Sequence, residues 1–130
     1  MRILVADDSA DWRAQTRSLL QMRPEWEVIG EACDGIQAVQ RTTELRPDLV
    51  LLDIGMPMLD GIEAAKRIRQ VSPSTKIVFV TQEDDADVRI AALATGAEEY
   101  LLKTNARSEL LRAVEDASPT VHDAHALSRD

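Results

Sequence analysis

Short apolar runs alternate with segments of helical periodicity along most of this chain. Four largely apolar runs cover residues 3–6, 49–52, 77–80 and 100–102, and the run at 49–52 is apolar at every position. A fifth segment, residues 26–32, alternates only in part because Val28 and Ile29 are adjacent. Strands that alternate with helical patterns are typical of βαβ units, and a strand without polar positions is expected at the centre of a parallel sheet.

Apolar residues spaced at three and four positions predict five helices, one after each strand. The predicted buried faces are Trp12, Thr16, Leu19 and Leu20; Ile36, Val39 and Thr43; Ile62, Ala65 and Ile68; Val88, Ala91 and Ala92; and Leu110, Leu111 and Val114. Helix ends are marked by N-cap residues, by a C-cap glycine and by prolines that stop a helix. We assign as caps Asp34, Asp60 in a capping box with Glu63, Gly96 and Asn105, and as stops Pro24, Pro47 and Pro73.

Five strands and five helices in strict alternation predict an α/β fold with a doubly wound, five-stranded parallel sheet, a (βα)5 unit. The economical strand order is the flavodoxin-like 2-1-3-4-5. A chain of 130 residues has room for one domain with a full core, which we place at residues 1–117. Residues 118–130 lack periodicity, and we expect a flexible tail or the start of a linker to a further domain that this chain does not contain.

Composition and charge narrow the class of protein. The hydrophobic content of 45% and the charged content of 29% are ordinary for a globular domain. A net charge of -8 would repel nucleic-acid phosphates and anionic lipids, so we expect no direct contact with nucleic acid or membrane. The single cysteine, Cys33, allows no internal disulfide, and no apolar stretch approaches the roughly 20 residues that span a bilayer. A cytoplasmic location is therefore expected.

Polar residues follow four of the predicted strands at the point where each strand ends. Asp7 and Asp8 follow the first strand, Asp53 the third, Thr81 the fourth and Lys103 the fifth. The carboxyl ends of parallel strands share one edge, where open α/β sheets bind ligands. Three carboxylates in close quarters require a counter-charge, and all-oxygen ligands favour Mg²⁺ or a similar hard ion such as Mn²⁺.

Together these residue types predict metal-assisted phosphoryl transfer. Asp53 is the best candidate nucleophile, since a carboxylate can attack phosphorus and form an acyl phosphate. Lys103 and the Thr81 hydroxyl suit the equatorial oxygens over which the transition state spreads its charge. Gly55 lies two residues beyond Asp53, where a backbone without Cβ could approach the metal or the phosphoryl group. Taken singly, each residue also has an ordinary explanation: Asp8 as a helix N-cap, Lys103 as a solvated strand end and Thr81 as a packing residue.

A set of short motifs runs through the chain: Val5-Ala6-Asp7-Asp8, Leu51-Leu52-Asp53-Ile54-Gly55-Met56-Pro57, Asp60-Gly61, Val80-Thr81, and Gly96-Ala97 before Tyr100-Leu101-Leu102-Lys103. Over residues 2 to about 117 this set resembles the receiver domain of bacterial two-component response regulators, the CheY-like family. The resemblance implies that Asp53 accepts a phosphoryl group from a partner histidine kinase. It implies that Asp8, Asp53 and the Gly55 carbonyl bind Mg²⁺ directly, with Asp7 contributing through water. It also implies that Thr81 and Lys103 bind the phosphoryl group.

The resemblance further implies a conformational switch. On phosphorylation Thr81 would move toward the phosphoryl group and Tyr100 would rotate inward, which remodels the surface of the fourth helix, fifth strand and fifth helix. Receiver domains often form homodimers or meet partners on that surface. Without the resemblance, Tyr100 is better explained as a half-buried core aromatic residue.

Two positions depart from the common receiver pattern. Thr104 follows Lys103 where many receivers have proline, and with residues 100–103 it resembles the subfamily that carries a LuxR-type helix-turn-helix output domain for transcription regulation. Gln82 stands where many members have a small residue, and its bulk is expected to slow phosphoryl exchange or attack by water. We therefore count Gly55, Gln82 and Glu83 as modulators of the phosphate environment.

Several alternatives accompany this interpretation. The chain is either the receiver of a longer DNA-binding regulator, which we favour, or a single-domain regulator that acts by protein contact. A pseudo-receiver that is never phosphorylated is opposed by the complete set of acidic, Thr and Lys residues. A haloacid-dehalogenase-like phosphatase needs a second Asp two residues after its nucleophile, where this chain has Gly55. We therefore expect no enzymatic activity beyond catalysis of the domain's own phosphorylation and dephosphorylation.

Overall fold

Five strands and five helices alternate along residues 1–118, the part of the chain that the computed structural model describes. In chain order they are β1 (Arg2–Ala6), α1 (Ala10–Leu20), β2 (Glu27–Ala32), α2 (Gly35–Leu45), β3 (Leu49–Leu52), α3 (Gly61–Val71), β4 (Lys76–Thr81), α4 (Ala86–Leu93), β5 (Glu99–Leu102) and α5 (Lys103–Asp116). The strands are parallel in the order β2-β1-β3-β4-β5, which confirms the predicted doubly wound fold. Apart from Ser118, the predicted tail at residues 118–130 lies outside the described residues, and the domain limit at residue 117 stays a prediction.

The apolar core is divided between the two faces of the sheet. β3 is buried at every position, and its alternate side chains point to opposite faces. Val50 and Leu52 pack with residues of α2, α3 and α4, whereas Leu49 and Leu51 pack with residues of α1 and α5. Helices on both faces leave the carboxyl ends of the central strands open to ligands. Within residues 1–118, none of the helices is long and apolar enough to cross a membrane.

β2 is an edge strand with an irregularity in its pairing. The register between β1 and β2 skips Ile29, which is therefore an extra residue on β2. This bulge explains why the alternation of apolar residues breaks at Val28 and Ile29, since both side chains are partly buried. The strand predicted at residues 26–32 is confirmed from Glu27 onward.

The predicted buried faces of α1, α3 and α5 are confirmed, whereas the face predicted for α2 is wrong at two of its three residues. α2 buries Gly35, Ala38 and Thr42, while Ile36 and Thr43 are exposed and Val39 is partly buried. At Gly35 the first residue of α2 lies very close to the loop that follows β3. A Cβ on Gly35 would lie only 1.9 Å from the Leu59 carbonyl oxygen. On α4, the predicted core residue Ala91 is exposed.

The predicted caps hold at two helix starts and fail at two other helix ends. The side chains of Asp34 and Asp60 cap α2 and α3 through hydrogen bonds of 2.7 and 3.0 Å. Asn105 does not cap α5, because that helix already begins at Lys103, directly after β5. α4 ends before Gly96, whose positive φ of 92° serves the turn toward β5.

The loop between β3 and α3 approaches the end of β3 very closely at Gly61. The Gly61 N–H donates to the Ile54 carbonyl at 2.8 Å, and a Cβ on Gly61 would lie 2.0 Å from the Asp53 carbonyl oxygen. Space therefore requires glycine at this position. At Gly55, by contrast, an added Cβ would meet no atom of the described residues within 4 Å. The backbone of Asp53 is thus tightly enclosed on the Gly61 side and open beside Gly55.

We predict that Gly61→Ala lowers the free energy of unfolding by about 2 kcal/mol or more, since the new methyl group must displace backbone. Gly55→Ala is the matched control and should change it by less than about 0.5 kcal/mol. Urea unfolding of both variants measures the difference. Equal losses of stability in the two variants would contradict the close approach at Gly61.

Candidate functional site

The sheet register brings two carboxylates to the ends of neighbouring strands. β1 and β3 end in register, so that Asp7 and Asp53 follow directly on adjacent strands. The Asp53 N–H continues the pairing by donating to the Ala6 carbonyl at 3.0 Å. With Asp8 these residues form a cluster in which one oxygen of each carboxylate lies within 4.8 Å of the others. Asp7 and Asp53 are buried, whereas Asp8 is exposed.

Ser9, and not Asp8, holds the loop from β1 to α1. Ser9 is the N-cap of α1, and its Oγ accepts a hydrogen bond from the Trp12 N–H at 3.2 Å. The Ser9 N–H donates to Asp7 Oδ1 at 2.9 Å. The explanation of Asp8 as a helix cap is therefore wrong, and its exposed carboxylate has no capping role.

Lys103 brings a positive charge to the two buried carboxylates from the first residue of α5. Its Nζ lies 2.7 Å from Asp7 Oδ2 and 3.4 Å from Asp53 Oδ2. The Lys103 side chain is only 11% exposed, so solvent screens these ion pairs weakly. The explanation of Lys103 as a solvated strand end is wrong, because its ammonium is enclosed by the site.

The electrostatics of Asp7 favour a further cation. Burial raises the pKa of the Asp7 carboxyl, and the nearby charge of Asp53 also raises it, although contacts with Lys103 and the Ser9 N–H lower it. Asp7 Oδ2 lies close to the ammonium but accepts no hydrogen bond of good geometry from the described residues. A buried carboxylate oxygen with a lone pair to spare, beside two more carboxylates, is the donor chemistry of a hard divalent cation. Asp7, Asp8 and Asp53 therefore fit Mg²⁺.

The backbone of one residue, Glu83, connects the predicted switch residues Thr81 and Tyr100. Thr81, buried at the end of β4, accepts a hydrogen bond on Oγ1 from the Glu83 N–H at 3.2 Å. The Glu83 carbonyl accepts a hydrogen bond from the Tyr100 hydroxyl at 2.5 Å. Burial raises the pKa of Tyr100, and the charge of Glu83 adds to the shift, so the hydroxyl keeps the proton that it donates. Tyr100 is 7% exposed, which makes it a buried residue and not the half-buried one expected from its pattern.

An open cavity of about 290 Å³ collects most of the predicted site residues at the carboxyl edge. Glu83 and Gln82 are exposed on one side of it, and Gly55 lies on another side without a steric need for glycine. The volume of the cavity, at the lower end of the range for small-ligand sites, leaves room for a phosphoryl group. Its lining residues are Asp8, Ser9, Asp53, Gly55, Thr81, Gln82, Glu83 and Lys103.

The sequence pattern does not reveal two contacts at this edge. Arg13 Nη1 donates to the Asp7 carbonyl at 2.7 Å, while its Nε donates to Glu31 on β2 at 2.8 Å. The Trp12 ring lies against Lys103, with 5.0 Å between the ring centroid and Nζ. Both residues belong to the first turn of α1, directly after the Asp8 loop. That position is the signal that could have suggested their contact with the end of β1.

Known proteins are similar to this chain over most of its length. The family model for the response regulator receiver domain matches residues 3–115. The transcriptional regulatory protein LiaR of Bacillus subtilis is 39% identical over 118 residues, which cover 91% of this chain and 56% of that protein. Protein-glutamate methylesterase/protein-glutamine glutaminase 1 of Methanosarcina acetivorans is 33% identical over 126 residues, which cover 96% of this chain and 36% of that protein.

The same similarity extends to solved structures. The crystal structure of a two-component response regulator of the LuxR family from Aurantimonas sp. SI85-9A1 superposes with a TM-score of 0.84 at 31% identity, covering 98% of this chain and 96% of that chain. The chain spans between about a third and just over half of the length of the curated relatives named above. Their names describe different outputs, so the similarity concerns the part that they share with this chain.

We predict that Mg²⁺ raises the free energy of unfolding, because a bound cation relieves repulsion among the three carboxylates. At a free concentration one hundred times the Kd the gain should be about 2.7 kcal/mol. Asp8→Asn should abolish most of this gain. Glu44→Gln, which removes an equal charge from an exposed position at the end of α2, should retain it. Urea unfolding with and without Mg²⁺ tests this, and an equal gain in both variants would place the cation elsewhere.

Proposed function

The chain belongs to the response regulator receiver domain family, and from this premise we propose that Asp53 accepts a phosphoryl group from a histidine kinase. The observation that carries the proposal is the position of Asp53. Its carboxylate lies at the floor of an open cavity, 3.4 Å from an enclosed ammonium and within reach of two further carboxylates. A nucleophilic carboxylate, a cation site and a second positive charge are the parts that phosphoryl transfer requires.

In the proposed reaction a carboxylate oxygen of Asp53 forms a bond to phosphorus while the bond to the kinase histidine nitrogen breaks. Asp53 Oδ1 accepts a hydrogen bond from the Ile54 N–H at 2.7 Å, which sets the plane of the carboxylate. Lys103 and the Thr81 hydroxyl balance the charge on the equatorial oxygens. Mg²⁺, held by Asp8, Asp53 and the Gly55 carbonyl with Asp7 nearby, would neutralise further negative charge when bound.

We further propose that the switch acts through the backbone N–H and carbonyl of Glu83. The Thr81 hydroxyl accepts from the Glu83 N–H and still has its own proton to donate, so a phosphoryl oxygen on Asp53 would attract that hydroxyl. A shift of Thr81 then alters the loop whose Glu83 carbonyl holds the Tyr100 hydroxyl. The phosphoryl group biases two packings of α4, β5 and α5 by its different contacts in each. A change from 1:99 to 99:1 needs about 5.5 kcal/mol of differential stabilisation.

Signal transfer and not turnover is the proposed outcome of the chemistry. An Asp two residues beyond the nucleophile would supply the acid and base of a phosphatase, and Gly55 stands there. The domain would then catalyse only its own phosphorylation and dephosphorylation. Gln82 and Glu83 line the cavity beside Asp53, and we propose that they set the lifetime of the phosphorylated state.

We propose that the receiver extends over residues 1–117 and controls a DNA-binding output domain in the cytoplasm. Thr104 after Lys103 supports this choice, as does the similarity to LiaR, which is described as a transcriptional regulatory protein. The net charge of -8 opposes direct binding of nucleic acid by the chain itself. A receiver homodimer through α4, β5 and α5 would link phosphorylation to that output. The alternative is a single-domain regulator that acts by protein contact.

We predict that acetyl phosphate and Mg²⁺ add one phosphoryl group to the protein, as read by intact mass, because the buried carboxylate of Asp53 lines the open cavity. Asp53→Asn should abolish the gain, since an amide cannot form the acyl phosphate. Asp11→Asn, at an exposed carboxylate of α1, should retain it.

Other outcomes of the same experiment favour other functions. If the protein gains no phosphoryl group, even with an active histidine kinase, the chain is a pseudo-receiver. Steady release of phosphate from many small substrates would instead favour a phosphatase. A gain that persists in Asp53→Asn would move the acceptor to another residue.

We predict that Gln82→Ala shortens the lifetime of phosphorylated Asp53 several-fold, because the exposed Gln82 side chain borders the cavity through which water must approach. Gln40→Ala, an exposed glutamine on α2, is the matched control and should leave the lifetime unchanged. The decay of the phosphorylated mass after removal of acetyl phosphate gives both values. An unchanged lifetime in Gln82→Ala would contradict the proposed role of its bulk.

A further inference from the structure

We propose that Trp12 is a positioning residue for Lys103 and that its indole face confines the ammonium beside the two buried carboxylates. This inference deepens the proposed function and rests on it for its kinetic consequence. The Lys103 Nζ lies 5.0 Å from the centroid of the Trp12 ring, inside the range of a cation–π contact. The same nitrogen is 2.7 Å from Asp7 and 3.4 Å from Asp53. The ring therefore bounds the ammonium site on a third side, with Asp7 and Asp53 on the other two.

The position of the ring is set by the fold and not by Lys103. Trp12 lies in the first turn of α1, and its backbone N–H donates a hydrogen bond to Oγ of the N-cap residue Ser9. Its side chain is partly buried against the core cluster of α1 and α5 that contains Leu110. The helix cap and the core packing already fix the Trp12 ring. The ring therefore loses no further conformational entropy when it restricts the flexible side chain of Lys103.

Lys103 needs such a wall because open space lies next to it. A groove of about 580 Å³ runs between α1 and α5, and its lining includes Trp12, Leu19, Lys103 and Arg107. A lysine side chain is a flexible four-carbon chain that ends in a strongly hydrated ammonium. It therefore gains conformational entropy and contacts with water when it rotates into the groove. Trp12 borders this groove together with Lys103, and it also borders the small space beneath Asp7 and Asp53.

An aromatic wall has an advantage over a charged one. A third carboxylate would hold the ammonium strongly and compete with the phosphoryl oxygens for it. An indole face attracts the ammonium without carrying a net charge, and tryptophan is the strongest aromatic partner for a cation. Lys103 can therefore move between Asp7, Asp53 and a phosphoryl oxygen while it stays against the same ring.

The chain offers an internal comparison for this role. Trp26 is packed in the same core cluster and has a cation of its own, Arg23, at 5.7 Å. It precedes β2 and therefore lies at the amino edge of the sheet, opposite the carboxylates. A tryptophan that serves only the core should behave like Trp26.

The kinetic test compares three variants by their rate of phosphorylation with acetyl phosphate and Mg²⁺. Trp12→Leu should slow the reaction about tenfold, within the range of about two- to thirtyfold expected for a shielded cation–π contact. Trp12→Phe should restore the rate to within about threefold of the original protein, because phenylalanine keeps an aromatic face. Trp26→Leu should leave the rate unchanged when all proteins are folded. An unchanged rate in Trp12→Leu, or equal slowing in Trp12→Phe and Trp12→Leu, would overturn the inference.

A spectroscopic test decides the same point without phosphorylation. The ε-methylene protons of Lys103 should show an upfield ring-current shift in NMR spectra, and Trp12→Phe should keep part of it. In Trp12→Leu they should move toward the values of Lys66, an exposed lysine on α3. Unshifted protons in the original protein would overturn the inference. If the protein were never phosphorylated but the shift were present, the proposed function would fail while the positioning of Lys103 by Trp12 would stand.

Discussion

Two buried carboxylates lie at the ends of adjacent strands, and the Lys103 ammonium, at 2.7 and 3.4 Å, supplies the positive charge that offsets their mutual repulsion. Lys103 is the first residue of α5 and follows β5 directly, so this contact depends on the pairing of β5 with β4 and on the packing of α5. Buried ion pairs add little net stability, because the cost of desolvation offsets the attraction. The arrangement is therefore poorly explained as a stabilising device and well explained as a charged site kept ready for an anion and a metal.

The walls of the site differ in rigidity. Around Asp53 the backbone is enclosed by Gly61, and Arg13 holds the Asp7 carbonyl, so the two central strands offer little room for movement. On the β4 side the loop at residues 82–85 is exposed, and hydrogen bonds through Glu83 connect it to Thr81 and Tyr100. A phosphoryl group on Asp53 would therefore displace the exposed loop after β4 more easily than the two central strands. The direction of the proposed switch, from Asp53 toward α4 and β5, follows from this difference.

The sequence predicts this architecture well because strand burial and strand order follow from pattern alone. An entirely apolar strand such as Leu49–Leu52 is expected at the centre of the sheet. The polar residues that follow the strands then lie together at the carboxyl edge. The face of α2 could not be predicted in this way, because Gly35 is buried by close approach to a loop and not by its own hydrophobicity. The contact of Trp12 with Lys103 joins residues about ninety positions apart, and only the tertiary packing of α1 beside α5 brings them together. Residue types thus locate the site, while the contacts that orient its side chains require the structure.

The hydrogen bonds of the three carboxylates also separate their roles. Asp7 Oδ1 accepts a hydrogen bond from the Ser9 N–H, whereas its Oδ2 lies 2.7 Å from the Lys103 ammonium without a hydrogen bond of good geometry from the described residues. Asp53 Oδ1 accepts a hydrogen bond from the Ile54 N–H, and its Oδ2 accepts one from the Lys103 ammonium at 3.4 Å. Asp8 is exposed and borders the cavity. A cation at this cluster would meet a solvent-exposed carboxylate at Asp8 and an oxygen without a hydrogen bond from the described residues at Asp7 Oδ2, whereas at Asp53 Oδ2 it would compete with Lys103.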